Sequence, residues 1–174
     1  LVRSRGLGDV YKRQPLHMFY TEETYEQLFN DYDIDYIVDA SDTIIYKVHL
    51  MEQCLKRDIK IISSMGAANK TDPTQFEIAD ISKTHTDPIA RVIRNKLKQK
   101  GIKKGIPVVF SGESPIVIRE DVKAVVGDAQ GKNRKAQMPP SSNAYVPSVV
   151  GLICASYVCN DILKSIPLQR IKDR

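Results

Sequence analysis

Two nearly continuous apolar runs of strand length, residues 34–40 (IDYIVDA) and 59–63 (IKIIS), flank a single segment of helical period. Strands that are apolar without alternation are covered on both faces, as in a parallel sheet. Strand, helix and parallel strand form a unit whose crossover is right-handed. The chain is therefore constrained to the α/β class. Asp42 or Thr43 caps the intervening helix, which is predicted to reach about Arg57 with Ile44, Ile45, Val48, Met51 and Leu55 as its apolar stripe. Further strands are predicted at 76–79 and 106–111. Between them Asp87-Pro88 opens a helix that stops at Gly101, with Ile89, Val92, Ile93 and Leu97 inward. Upstream, Thr21 reads as the cap of a helix reaching about Asn30. The expected architecture is a Rossmann-like, mostly parallel sheet with flanking helices.

At 174 residues, 42% apolar and 27% charged, the composition is that of a globular protein with a buried core. Cys54, Cys154 and Cys159 have no metal-ligand spacing and read as free thiols of a reducing compartment, which points to the cytoplasm. Residues 1–14 (LVRSRGLGDVYKRQ) have no apolar period and join abruptly to a patterned segment; they read as non-native read-through. Gly6 and Gly8 lack the preceding strand and following helix that a phosphate-binding glycine loop needs. Residues 119–143 read as a mobile loop of the remaining domain, 15–174. A last helix, about 146–163, is expected to be buried against the sheet. Its dense apolar part, 144–159, falls short of the roughly 20 residues of a membrane span.

Charge is polarised along the chain: residues 15–87 are net acidic and 88–174 net basic, within an overall +5. No acid occurs between Pro88 and Gly112, while Arg91, Arg94, Lys96, Lys98, Lys100, Lys103 and Lys104 do. Such a segment suits a polyanion and equally suits a solvated helix face.

The sequence D-A-S-D at Asp39–Asp42 lies where the first strong strand yields to a helix. Open parallel sheets bind ligands beyond the carboxyl ends of their strands. Carboxylates placed there can hold Mg²⁺ against nucleotide phosphates, and the helix N-terminus favours the same anions. An N-cap role alone would account equally for an Asp at this point.

Five collinear motifs carry a resemblance. They are D-A-x-D-x-x-x-x-K at Asp39 to Lys47, M-G-A-x-N-K-x-D-P-T at Met65 to Thr74, A-D-I-x-K-T at Ala79 to Thr84, D-P-[IL]-A-[RK]-V-x-R at Asp87 to Arg94, and P-S-V-x-G-L-I at Pro147 to Ile153. Together the sequence resembles the ubiquitin-activating-enzyme-like superfamily of ThiF, MoeB and HesA type. More narrowly it is similar to the branch that dehydrates threonylcarbamoyladenosine at position 37 of tRNA. The resemblance implies Mg-ATP as cofactor, activation of the threonylcarbamoyl carboxylate, and cyclisation. It implies Asp42 as the Mg²⁺ and phosphate ligand, and Asp39 as its support. Lys47 would act in catalysis, and Gly66, Asn69 and Lys70 would border the nucleotide. It also implies tRNA as partner, a homodimer, and the sulfur-transfer partner that some relatives have. Arg91, Arg94, Lys98, Lys103 and Lys104 are then the candidates for tRNA backbone contact.

The superfamily's G-x-G-G-V-G loop and the acidic, arginine and lysine residues that follow it do not occur here. The expectation is a C-terminal fragment without the N-terminal nucleotide-binding half, and inactive alone. Two other functions compete. One is adenylation of a sulfur-carrier protein; the other is a non-catalytic α/β module that binds RNA or a partner chain.

Overall fold

The structure is a computed structural model that describes residues 15–117, 119, 121 and 141–166. Residues 1–14 and most of the loop expected at 119–143 lie outside them. The chain divides into two units, Leu1–Asp33 and Ile34–Arg174. In the first, α1 spans Tyr25–Asp31, later than the sequence suggests. Thr21 does not cap it. The Thr21 hydroxyl accepts from the Glu23 amide in a preceding turn, and the helix begins at Thr24 with no side-chain cap.

Among its described residues the second unit holds four strands, β1 (Tyr36–Asp39), β2 (Lys60–Ser64), β3 (Phe76–Asp80) and β4 (Pro107–Ser111), in the order β1-β2-β4-β3. Helices α2 (Ile44–Lys56), α3 (Pro88–Gln99) and α4 (Val146–Ile162) flank them. β1, β2 and β4 are parallel, and β3 runs antiparallel beside β4. The reason is the connection. After β2 no helix carries the chain back to the far end of the sheet, so the next strand starts where β2 stopped and must reverse. Residues 81–87 then return the chain to that end, where α3 begins.

Alternation along the strands assigns the two faces. Ile62 and Val109 point with Phe76 into a core closed by Val146, Val150 and Cys154 of α4. The opposite parity, with Ile61, Val108 and Phe110, faces α2 and α3 and their buried Val48, Met51, Ile93 and Leu97. The result is three layers.

Both helix stripes sit slightly rotated from expectation. In α2, Ile45 is 61% and Leu55 39% exposed, while Lys47, Gln53 and Cys54 are buried. The rotation brings the Lys47 ammonium under β1. In α3, Ala90 joins Ile93 and Leu97 inside, and Val92 stays on the rim. Asp87 caps α3 as expected, accepting from the amides of Ile89 and Ala90 at 2.8 and 3.0 Å. α4 departs most. Only Val146, Val150 and Cys154 are buried, and Leu152 and Ile162 are 69% and 58% exposed. With its continuation to Ser165 it is long and apolar enough to cross a membrane by length and composition, at mean hydropathy 1.6. One face packs on the sheet, and the open remainder sets Leu152, Ala155 and Ile162 beside Ser148, Ser156 and Asn160.

Candidate functional site

The carboxyl ends of β1, β2 and β4 and the N-termini of α2 and α3 share one end of the sheet, and two buried lysine–aspartate pairs organise it. The first is built on β1. Asp39 is 3% exposed, and its Oδ2 receives the Lys47 ammonium at 2.7 Å and the Ser63 hydroxyl at 2.7 Å. Lys47 also donates to Ser63 Oγ at 3.1 Å. The other carboxylate oxygen accepts from the Ser41 amide and hydroxyl at 3.0 and 2.7 Å. Every acceptor position of Asp39 is thereby used, and the turn 39–43 is fixed. Ser63, at the end of β2, is a member of this cluster that the sequence does not announce. Its only signal is the register that sets it opposite Asp39.

Asp42 stands three residues beyond Asp39, exposed, and accepts from the Thr43 hydroxyl at 3.2 Å. Thr43 is the N-cap residue of α2, without a side-chain cap bond. The structure thus parts the two aspartates: Asp39 is spent inside, and Asp42 is presented to solvent. Among the described residues no group of three His, Cys, Asp or Glu side chains gathers for a metal. An exposed carboxylate at a strand end suits Mg²⁺, which keeps most of its waters and takes its remaining oxygens from phosphate.

The second pair holds the loop 65–73. Lys70 is 3% exposed; its ammonium lies 3.6 Å from Asp87 Oδ2 and donates to the carbonyls of Glu113 and Ser111 at 3.0 and 3.3 Å. The ammonium also sits 5.8 Å from the centre of the Phe76 ring. Asp87 Oδ2 accepts from the Gly66 amide at 3.2 Å, and a Cβ at residue 66 would come within 3.3 Å of that same oxygen. A side chain there would have to push that oxygen or the Ile89 side chain back by a few tenths of an ångström. Asn69, in the left-handed region at φ 57°, exchanges bonds with Ser141 through its amide and its side chain, while its carbonyl accepts from Ile116. The structure therefore gathers Gly66, Asn69 and Lys70 at the sheet end. It commits the Lys70 ammonium and the Asn69 polar groups to the protein itself.

Glu113 completes the loop's support. Its carboxylate accepts from the amides of Thr71 and Asp72 and from the Thr71 hydroxyl, at 2.9–3.1 Å. Desolvation pushes its pKa up, but those amide donors, the Thr71 hydroxyl and Lys70 outweigh it and hold the carboxyl below its usual 4.5. A lowered carboxyl stabilises the fold above its unfolded value and loses that contribution as pH falls through the folded one. The thermal midpoint of Glu113→Gln is therefore expected to lie below the parent's near pH 7, with the gap narrowing as pH falls below the carboxyl's ordinary 4.5. A gap independent of pH would assign the loss to shape rather than charge.

Cys54 is buried, and burial, with Asp39 nearby, pushes its thiol up to about 12. It is protonated core and not a nucleophile. Arg94 folds back onto Thr84, donating to its carbonyl at 2.8 Å and its hydroxyl at 2.5 Å. Arg91, Lys98, Lys103 and Lys104 are exposed.

Comparison with known proteins bears on the family and the fold. The chain is 69% identical over 159 residues to tRNA threonylcarbamoyladenosine dehydratase of Bacillus subtilis, covering 91% of this chain and 62% of that protein. It is 34% identical over 109 residues to the Escherichia coli enzyme of the same name, covering 57% of this chain and 40% of that one. The chain thus spans less than two thirds of the relatives it matches. The solved structure of the E. coli dehydratase in complex with AMP superposes with a TM-score of 0.69 at 23% identity, over 86% of this chain and 56% of that one. That likeness establishes the shared α/β fold. The sequence profile of the ThiF family matches residues 9–172, from upstream of the first described strand to beyond the last helix, and the chain belongs to that family.

Proposed function

We propose that this chain is part of an ATP-dependent tRNA threonylcarbamoyladenosine dehydratase. In this reading the enzyme activates the threonylcarbamoyl carboxylate and closes the ring on adenosine 37. The observation that carries it is the presentation of Asp42. The Asp39–Lys47–Ser63 cluster is fully satisfied internally, and it holds rigid a turn whose next acid faces outward at the ligand end of the sheet. When bound, Mg²⁺ would neutralise phosphate charge at Asp42. Asp39 and Lys47 would position that turn without touching the nucleotide. The 69% identity to the B. subtilis dehydratase supports the substrate class over a carrier-protein adenylase. The apolar residues exposed on α4, Leu152 and Ile162 among them, support association as a homodimer, and the free cysteines support a reducing compartment such as the cytoplasm.

ATP consumption is the test. The complete gene product should consume ATP only with tRNA that carries threonylcarbamoyladenosine, and Asp42→Ala should slow it about tenfold, ~1.4 kcal/mol of barrier. The 174-residue chain alone should consume none. A sulfur-carrier protein that replaces tRNA as the stimulus would overturn the dehydratase reading. An unchanged rate in Asp42→Ala would remove Asp42 from the site.

A further inference from the structure

The exposed surface of α3 is continuous with the end of α2, and the two present one cationic track. The buried side of α3 is Ala90, Ile93 and Leu97, so Arg91, Lys96 and Lys98 project away from the sheet. At its C-terminal end the helix meets α2 through Glu52. That acid is shared by two lysines, Lys100 at 2.6 Å and Lys56 at 2.8 Å, whose side chains remain 44% and 60% exposed. One carboxylate between two ammonium groups leaves a net positive charge. Lys103 and Lys104 extend it into the turn before β4. The other acid of that turn region, Asp80, has its oxygens taken by the amides of Ser82 and Gly105. Arg94 contributes nothing outward, because Thr84 holds it.

Direction matters as much as charge. α3 starts at Asp87, hydrogen-bonded to Gly66 at the ligand end of the sheet, and its twelve residues carry it about 18 Å to the opposite end. Arg91 and Lys98 lie on one flank of its outer surface and Lys96 and Lys100 on the other, so positive charge runs the length of the helix from beside the candidate site. Dipole compensation would explain lysines in the last turn only. It does not explain Arg91 in the first turn, Lys103 and Lys104 beyond the end, or Lys56 on another helix. Basic side chains that outnumber the acids beside them, Glu52 and Asp80, match a phosphodiester backbone, where affinity comes from displaced counterions. A membrane surface is the less suited occupant. The open apolar helix α4 lies on the other face of the sheet, so a bilayer meeting α4 would leave the track behind.

We propose that this track, from Arg91 at the site to Lys56, Lys103 and Lys104 at the far end, seats the sugar-phosphate backbone of the substrate RNA. The identity of the RNA rests on the dehydratase reading; the track itself does not. The experiment is the salt dependence of binding between the 174-residue chain and an unmodified tRNA transcript, which needs no chemistry to occur. Lys103→Ala with Lys104→Ala should reduce the slope of log K against log salt by about 2 and weaken binding about tenfold at low salt. Lys56→Ala should reduce the slope by about 1. Arg94→Ala should leave the slope alone while lowering thermal stability. Far-UV circular dichroism checks that the exposed-lysine variants stay folded. An unchanged slope in the Lys103/Lys104 variant overturns the track. So does binding to vesicles rich in phosphatidylserine with the same lysine dependence and no binding to tRNA. Neither result touches the dehydratase reading, which stands or falls on the ATP assay.

Discussion

Replacing Asp87 by alanine is expected to destabilise the unit by about 4 kcal/mol, read as a shift in the urea midpoint. Three losses combine. The first turn of α3 loses the carboxylate that accepts from Ile89 and Ala90, worth about 1 kcal/mol as a cap. The Gly66 amide loses its acceptor. The largest loss is electrostatic, because Lys70, 3% exposed, keeps its charge with only two carbonyls and the Phe76 ring for company. Asp87→Asn separates these contributions, since it retains the capping oxygen and removes the charge; it should fall between parent and alanine. Adding Lys70→Met to Asp87→Ala should recover stability, because an apolar pair spares the stranded ammonium. A single Asp87→Ala variant that loses under about 1 kcal/mol would show that Lys70 is not held as a buried ion.

The Asp39–Lys47 pair should behave alike in energy and differently in consequence. Lys47→Met leaves a buried carboxylate supported by Ser63 and Ser41 alone, and a loss of about 3–5 kcal/mol is expected. Asp39→Ala should cost a similar amount and also free the turn 39–43, since Ser41 bonds only to that side chain in the turn. The double variant Asp39→Ala with Lys47→Met should lose less than the two singles together, with a coupling of about 2 kcal/mol. Simple additivity would deny that the two charges answer each other. Amide exchange offers a separate reading of the same cycle. Protection at Ser41 should collapse in Asp39→Ala while that of β4 persists, because the turn opens locally before the sheet does.

The sequence conveyed the layers and the strand boundaries to within about two residues, since continuous apolar runs and a 3.6-fold apolar period survive translation into structure directly. It also conveyed the Asp87 cap, which is purely local. The direction of β3 was hidden because it depends on a missing crossover helix rather than on residues 76–80 themselves. The inward turn of Lys47 and Lys70 was hidden for a related reason. A lysine within a helix or a polar loop reads as solvated, and only the placement of Asp39 and Asp87 across the sheet end makes burial tolerable. Ser63 illustrates the same limit, because its partner is 24 positions away in sequence. The open face of α4 ran against the reading of an uncharged stretch as core, since uncharged is not the same as covered.

Asn69 has one more effect. By bonding to Ile116 and to Ser141 at once, it draws together the two ends of everything the chain does between them. Asn69 holds both positions, so its loss would unpin residues 116 and 141 together and take from each its tie to the loop 65–73.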